Sequence, residues 1–300
     1  MRKYINWVLI GLGAFLLVAA ILASTWASGA VKKTPTDTNS TTHLSGTAAK
    51  LNPGTGEVED LKVKATSFTK TDSNASTDDV VVFTNVTCLM VDAPGVDDCV
   101  EDKDDPNLVN IPEPDVFATD RYDGKAVKNG KFVPSDAEQK EGLVNKFPFD
   151  TEKKDYKYWD GMIGRTVPAK YEGTEKIHGL ETYKFNYTLS DMDAEVVSGI
   201  DGKYSMDKTM WIEPKTGAII KQEQHEVRTF ANGDPLLDMN LAFTDAQVKS
   251  NASDAKDNVS SLNLITGTVP LIGFILGPIL LLMGGALLLL SRGTGRRSAG

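Results

Sequence analysis

The segment Val269 to Leu290, VPLIGFILGPILLLMGGALLLL, holds twenty-two residues and no charge. As an α-helix rising about 1.5 Å per residue, it matches the roughly 30 Å hydrocarbon core of a bilayer. A basic stop follows, Ser291-Arg292 and then Arg296-Arg297, and lysine or arginine beside a span favours the cytoplasmic side. The tail 291–300 is therefore expected inside and the chain before the span outside. A second apolar run, Ile5 to Ala27, stands behind Arg2 and Lys3 at the opposite end. The expected topology is a stretch of water-exposed chain held at both ends by plasma-membrane helices, with residues 1–4 cytoplasmic as well.

The first run also has the parts of a signal peptide: a short basic start, an apolar centre and small residues at Ala27, Gly29 and Ala30. Its apolar length exceeds that of a usual signal-peptide core, and Trp7 and Trp26 bracket it as interfacial anchors do. A transmembrane helix or signal anchor over 5–27 is the expectation, with cleavage left open. In either case the middle of the chain faces outward.

Between the spans lie residues 28–268, enough for one large core or two small ones. The net charge of −9 understates the acidity of this middle, because seven of the 32 basic residues flank the spans (Arg2, Lys3, Lys32, Lys33, Arg292, Arg296, Arg297). An acidic domain argues against nucleic acid as a partner and against a polybasic grip on anionic lipid. The two cysteines, Cys88 and Cys99, both fall in this middle, astride a Pro94-Gly95 turn. In an oxidising compartment that spacing reads as a disulfide closing a small loop. A redox pair would have Cys-x-x-Cys spacing, and no histidine stands nearby to complete a zinc set.

Residues 28–56 are rich in Thr, Ser, Asn, Pro and Gly and read as an extended connector. Strand patterns follow across 57–268. Leu61–Phe68 alternates apolar with charged residues, and Asp79–Val91 is long and β-branched. Ala93–Asp115 breaks the pattern with prolines and acids, and Asp123-Gly124 and Asn129-Gly130 are turn signals. Ser135-Asp-Ala-Glu138 resembles the capped start of a short helix reaching Asn145. Further strands are expected at 181–189, 204–212, 218–230 and 236–248, the middle pairs joined by Glu213–Gly217 and Ala231–Asp234 turns. Together these predict a mainly β (α+β) extracytoplasmic domain of antiparallel meanders, flanked by the two helices. No internal repeat is evident.

Signatures of catalysis are scarce. The three histidines, His43, His178 and His225, are dispersed, and Gly-x-Ser-x-Gly, His-Glu-x-x-His, P-loop and Gly-x-Gly-x-x-Gly motifs are absent. Asp155 and Asp160 are the nearest approach to a carboxylate pair. Asp97, Asp98, Asp102 and Asp104 are candidate calcium ligands, although their spacing departs from the EF-hand and a solvated loop explains them equally. The aromatics of KFPFDTEKKDYKYWD, namely Phe147, Phe149, Tyr156, Tyr158 and Trp159, either line a groove for lipid or glycan or fill the core. In the second span, Gly273 and Gly277 offer a small-residue face for the first span or another copy. Neither span carries an ionisable residue, which disfavours a conducting path through a single hairpin.

Several stretches carry a family resemblance: GLGAFLL in the first span, Lys33-Thr34-Pro35 with the tract after it, FPFDTEKKDYKYWD, GLETYKF from Gly179, and WIEPKTG from Trp211. On these the chain resembles the porin PorA family of actinobacterial envelope proteins. The resemblance implies a membrane protein with an extracytoplasmic domain, and brings no catalytic residues. The predicted strands carry Lys, Asp and Glu on their non-core side, unlike the lipid-facing strands of a membrane barrel. The expected function is thus a non-enzymatic envelope protein that binds or scaffolds envelope lipid, glycolipid or partner proteins, without a cofactor. An oligomeric porin-type channel and an envelope-modifying hydrolase or transferase are the alternatives.

Overall fold

A computed structural model describes residues 2–110, 112–128 and 130–295. The Arg296-Arg297 pair and Asn129 of the second turn lie outside the described residues. The chain divides into two compact units, one from its two ends, up to Lys33 and from Asp257, the other Thr34–Lys256.

In the first unit, α1 (Arg2–Leu22) continues through a π-helical turn, Ala23–Ala27, into α2 (Ser28–Val31). At the other end α3 (Asp245–Asn263), which belongs to the second unit up to Lys256, runs through a second π turn, Leu264–Thr268, into α4 (Val269–Gly295). Tyr4–Ala27 and the helical run ending at Leu290 are each long and apolar enough to cross a membrane. Glycine lets α1 and α4 touch backbone to backbone. A Cβ on Gly13 would sit 2.7 Å from the Gly277 carbonyl oxygen, and one on Gly273 2.5 Å from the Leu16 carbonyl oxygen. Large apolar side chains such as Trp7, Phe15, Leu282 and Leu289 point outward, as on helices facing lipid.

The second unit is built on ten strands: β1 (Asn39–Leu51), β2 (Val58–Asp72), β3 (Val80–Val91), β4 (Asp115–Asp120), β5 (Tyr156–Asp160), β6 (Arg165–Ile177), β7 (Leu180–Val197), β8 (Ile200–Ile212), β9 (Ile219–Phe230) and β10 (Pro235–Phe243). They form one antiparallel half-barrel in the order β4-β3-β2-β1-β10-β9-β8-β7-β6-β5. Two meanders, β1–β4 and β5–β10, are thus joined where the first strand pairs with the last. The open edges are not left bare. Short bridges Thr119–Ala126, Lys125–Leu143 and Leu143–Tyr158 link β4 to β5 through the intervening loop.

Register sorts the side chains onto two faces. Leu44 and Ala48 of β1 stand opposite Ala65 and Leu61 of β2 and opposite Phe243 and Met239 of β10. Tyr187, Phe185 and Tyr183 of β7 face Lys208, Met210 and Ile212 of β8. This is the core face. The alternate residues, among them Lys62, Lys64, Lys184, Lys203, Asp207, Lys221, Glu223 and Asp238, make the opposite face charged. Part of that face is covered by α3, whose Ala252 and Ala255 pack on Leu180 and Ile220.

Three expectations need correction. The connector 28–56 contains β1, a strand paired on both sides. Its small residues hid it, and they are required, since a Cβ on Gly46 would lie 1.8 Å from the Asn240 carbonyl oxygen. The helix expected at 135–145 is absent. Leu143 is instead drawn into the core at 1% exposure, its N–H donating to the Lys157 carbonyl, and Gly142 turns the chain with φ +65°. The strand expected to reach Val248 stops at Phe243, where Thr244 begins α3 by accepting the Gln247 N–H at 3.2 Å.

Candidate functional site

Cys88 and Cys99 are joined in a disulfide, and Cys88 is fully buried on β3. The acidic residues of the adjoining loop do not converge. Asp98 pairs with Lys64 at 2.8 Å, and Asp102 accepts the Asp104 N–H at 3.0 Å, a turn within the loop itself. Among the described residues, no group of three His, Cys, Asp or Glu side chains could hold a metal ion. The histidines stay apart as well. His225 faces Asp238 at 2.8 Å on the charged face, while His178 sits at φ +48° with Gly179 in the tight β6–β7 turn.

The aromatic candidates are packing, not a groove. Phe147 has no exposure and meets Phe185 at 4.7 Å and Tyr156 at 5.4 Å between ring centres. Tyr158, Trp159 and Phe149 are also buried. Their loop is clamped onto the β8–β9 turn: Phe147 N–H donates to the Gly217 carbonyl, and Thr151 N–H to that of Pro214. A Cβ on Gly217 would lie 2.0 Å from the Phe147 carbonyl oxygen, so that turn has to be glycine. Gly273 and Gly277 are spent on the contact with α1 inside one copy.

Asp155 and Asp160 bracket β5, five residues apart and so roughly 16 Å along a strand. That exceeds the separation at which two carboxylates share one reacting group. Asp155 accepts the Tyr171 N–H at 3.1 Å, whereas Asp160 enters the core face and begins a polar patch where β5, β7, β8 and β9 meet.

Asp160 is 3% exposed, and its carboxylate is fully engaged. One oxygen accepts the hydroxyls of Tyr187 at 2.9 Å and Tyr204 at 3.1 Å; the other accepts the N–H groups of Met162 at 3.0 Å and Ile163 at 3.3 Å. Burial first, and the adjacent Asp160 charge second, push the hydroxyls of Tyr158, Tyr187 and Tyr204 well above the usual tyrosine range. They remain neutral donors. Beside them Glu226, also buried, holds the Arg228 Nε at 2.6 Å, while the same guanidinium donates to the Val196 carbonyl at 3.2 Å. Lys208 lies in the same row as Met206 and Met210. Burial lowers its pKa, opposed by the carboxylates of Asp160 and Glu226. These groups border an open cavity of about 220 Å³.

Two larger hollows lie elsewhere on the β unit. One of about 630 Å³ is bordered by His43, Lys64, Asp98 and Gln247, and one of about 420 Å³ runs along the charged face past Asp207 and His225. Neither gathers buried ionisable groups. The polar patch had one readable trace in the sequence. In YSMDKTMWI the core-face positions are Tyr204, Met206, Lys208, Met210 and Ile212, so a lysine interrupts an otherwise apolar row. Glu226 and Arg228 left no such trace, because β9 alternates polar residues on both faces.

A family model described as Porin PorA matches residues 5–286. A curated protein named Porin PorA from Corynebacterium resistens is 22% identical over an alignment 423 positions long, covering 100% of this chain and 99% of that protein. With helices and sheet both inside the matched range, the chain belongs to the porin PorA family.

Proposed function

We propose that this is a non-enzymatic envelope protein, anchored by α1 and α4 with both termini cytoplasmic, whose β unit binds an envelope lipid, glycolipid or protein on the outer side. The observation that supports it is the sorting of side chains on the half-barrel. Apolar residues pack on one face and charged residues such as Lys62, Lys184 and Asp207 occupy the other. A barrel that crosses lipid needs an apolar outer band and a polar interior, so this sheet suits water.

The family name, and that of the Corynebacterium resistens protein, favour a second reading, a porin-type channel. Two apolar helices in backbone contact at Gly13 and Gly273 enclose no lumen. A channel would therefore have to be assembled from the helices of several copies. One preparation separates the two. Full-length protein in lipid nanodiscs is examined by native mass spectrometry, and the same protein is fused into a planar bilayer. A lipid or glycolipid at fixed stoichiometry on a non-conducting protein supports binding. Discrete conductance steps from a defined oligomer with nothing bound would replace that reading with the channel.

A further inference from the structure

We propose that the cavity beside Asp160 and Glu226 is a binding site for a neutral polyhydroxylated group, the size of one sugar residue. This deepens the binding reading above and rests on it. At about 220 Å³ the cavity is smaller than a pocket for a drug-sized molecule and suits one small ring.

The walls present polar groups whose hydrogen bonds the protein does not complete. Lys208 has no hydrogen bond or ion pair among the described residues, only the Tyr187 ring at 5.9 Å. Gln224 accepts from Gln222 at 3.2 Å through its oxygen, which leaves its amide N–H₂ without an acceptor. Glu226 gives one carboxylate oxygen to Arg228 and keeps the other free. Glu226 is buried, Lys208 and Gln224 are half-buried, and polar groups withdrawn from water are costly unless paired. A ligand hydroxyl, donor and acceptor at once, answers this mixture of several donors and one acceptor.

Charge excludes the competing ligands. Two carboxylates, Asp160 and Glu226, stand against two cations, Lys208 and Arg228, so the formal charges balance and no net charge favours an anion or a cation. The Asp160 oxygens are already saturated. Asp160 thus shapes the wall and holds the two tyrosines, while Lys208, Gln224 and Glu226 are left to touch the ligand.

The test uses full-length protein in nanodiscs with methyl α-glucoside, methyl α-mannoside and methyl α-galactoside as probes, and glucuronate and glucosamine as charged controls. Binding is read by saturation-transfer NMR. At least one neutral glycoside should bind more tightly than either charged sugar, and Lys208→Met, Glu226→Gln and Gln224→Leu should each weaken it at least tenfold. Lys208→Met and Gln224→Leu leave the Asp160 and Arg228 bonds in place, so a loss of folding in Glu226→Gln alone does not decide the matter. Absence of binding by every glycoside overturns the proposal, as does binding that all folded variants retain. A preference for glucuronate abolished by Lys208→Met overturns it too, by showing an anion site. Glycoside binding kept by the folded variants, with a lipid still bound in their native mass spectra, would sink the cavity proposal while sparing the broader binding reading. An unliganded wild type that ignores every sugar sinks the cavity proposal together with the lipid and glycolipid forms of the binding reading.

Discussion

The two halves of the sheet solve the same packing problem with different side chains. Where β1, β2 and β10 meet the Leu89 end of β3 the core is small and aliphatic, with Leu44, Ala48, Val63, Ala65, Leu89, Met239 and Leu241, and its one aromatic pair, Phe83 on Phe117, lies apart between β3 and β4. Around β5 to β8 it is aromatic, with Phe147, Tyr158, Phe185, Tyr187 and Tyr204 beside Met206, Met210 and Ile212. Large rings bury more area per residue and bring hydroxyl donors with them. That is why the aromatic half can hold a buried carboxylate at Asp160, and why the polar cavity lies there. The aliphatic half has less to bury and adds cross-links instead, the Cys88–Cys99 disulfide and the Lys64 bonds to the loop behind it.

The comparison is broken most directly by truncating one residue in each half. Phe147→Ala removes a ring with no exposure that touches Tyr156, Tyr158 and Phe185, and should cost about 3–5 kcal/mol. Val63→Ala, also fully buried, should cost about 2 kcal/mol. Urea unfolding followed by tryptophan fluorescence measures both. A Val63 penalty equal to that of Phe147 would mean that the aliphatic half bears as much of the stability as the aromatic one.

Next in size is the disulfide. Closing a loop of about a dozen residues stabilises by about 3 kcal/mol in the chain-entropy account. Cys88→Ala with Cys99→Ala should remove that amount and expose the amides of β3 to hydrogen exchange before those of β7. Uniform loss of protection across both halves would show that they unfold as one.

A third effect is the response to pH, and the aromatic half should dominate it. Lys146, beside Phe147, is pushed down to about 7 by burial, with Asp120 pulling the other way; its ammonium donates to the Thr34 hydroxyl at 3.0 Å. The unfolded chain keeps that proton up to about pH 10, so it binds more protons than the native state above pH 7, and stability rises with pH. From pH 7 to 9 the gain is about 2 kcal/mol. Tyr158, Tyr187 and Tyr204 act in the opposite sense. Their native pKa values lie above the unfolded ones, so their contribution is complete below about pH 10 and is lost as pH rises beyond it. Denaturation midpoints should therefore climb from pH 7 and fall past pH 10, and Lys146→Met should reduce the climb to the share that Lys208, also lowered by burial, adds with the same sign, while leaving the fall. A flat profile in the unsubstituted protein would refute both assignments.

These halves were not equally legible. Strands β7 to β9 announced themselves, because Tyr183, Phe185, Tyr187 and Leu189 alternate with polar residues and the turns at Glu213–Gly217 and Ala231–Asp234 are chemically explicit, whereas β5 and β6 of the aromatic half lie outside the expected strands. In the other half β1 reads as a polar tract, since its core-face positions are Leu44, Gly46 and Ala48 and the need for small residues lies in β10, far along the chain at Asn240. The capping pair Thr244 and Gln247 was visible in sequence, yet apolar alternation through Phe243 masked where strand gives way to helix. The polar cavity could not be assembled from sequence at all, since Asp160, Lys208 and Glu226 come from three strands whose register decides that they meet.

The smallest test asks what holds the loop against the aliphatic half. Lys64 donates to the Val96 carbonyl at 2.7 Å and pairs with Asp98 at 2.8 Å, while Asp98 is 55% exposed. The hydrogen bond from Lys64 lowers the Asp98 pKa most; burial opposes it, and the Lys64 and His43 charges add to the lowering. A lowered carboxylate pKa contributes stability that is present above the unfolded value of about 4 and is lost as pH falls through the native one. In water and salt an exposed pair of this kind is worth about 0.5 kcal/mol. Lys64→Met should therefore cost about that much more at pH 7 and low ionic strength than near pH 2 or in about 1 M salt, where only the bond to the Val96 carbonyl is lost. The same substitution in the cysteine-free protein forms a double-mutant cycle. If the disulfide already orders the loop, Lys64 should matter more once it is gone. Equal costs in the two backgrounds would show that the charge pair and the cross-link act independently, leaving the disulfide's effect confined to the unfolded chain.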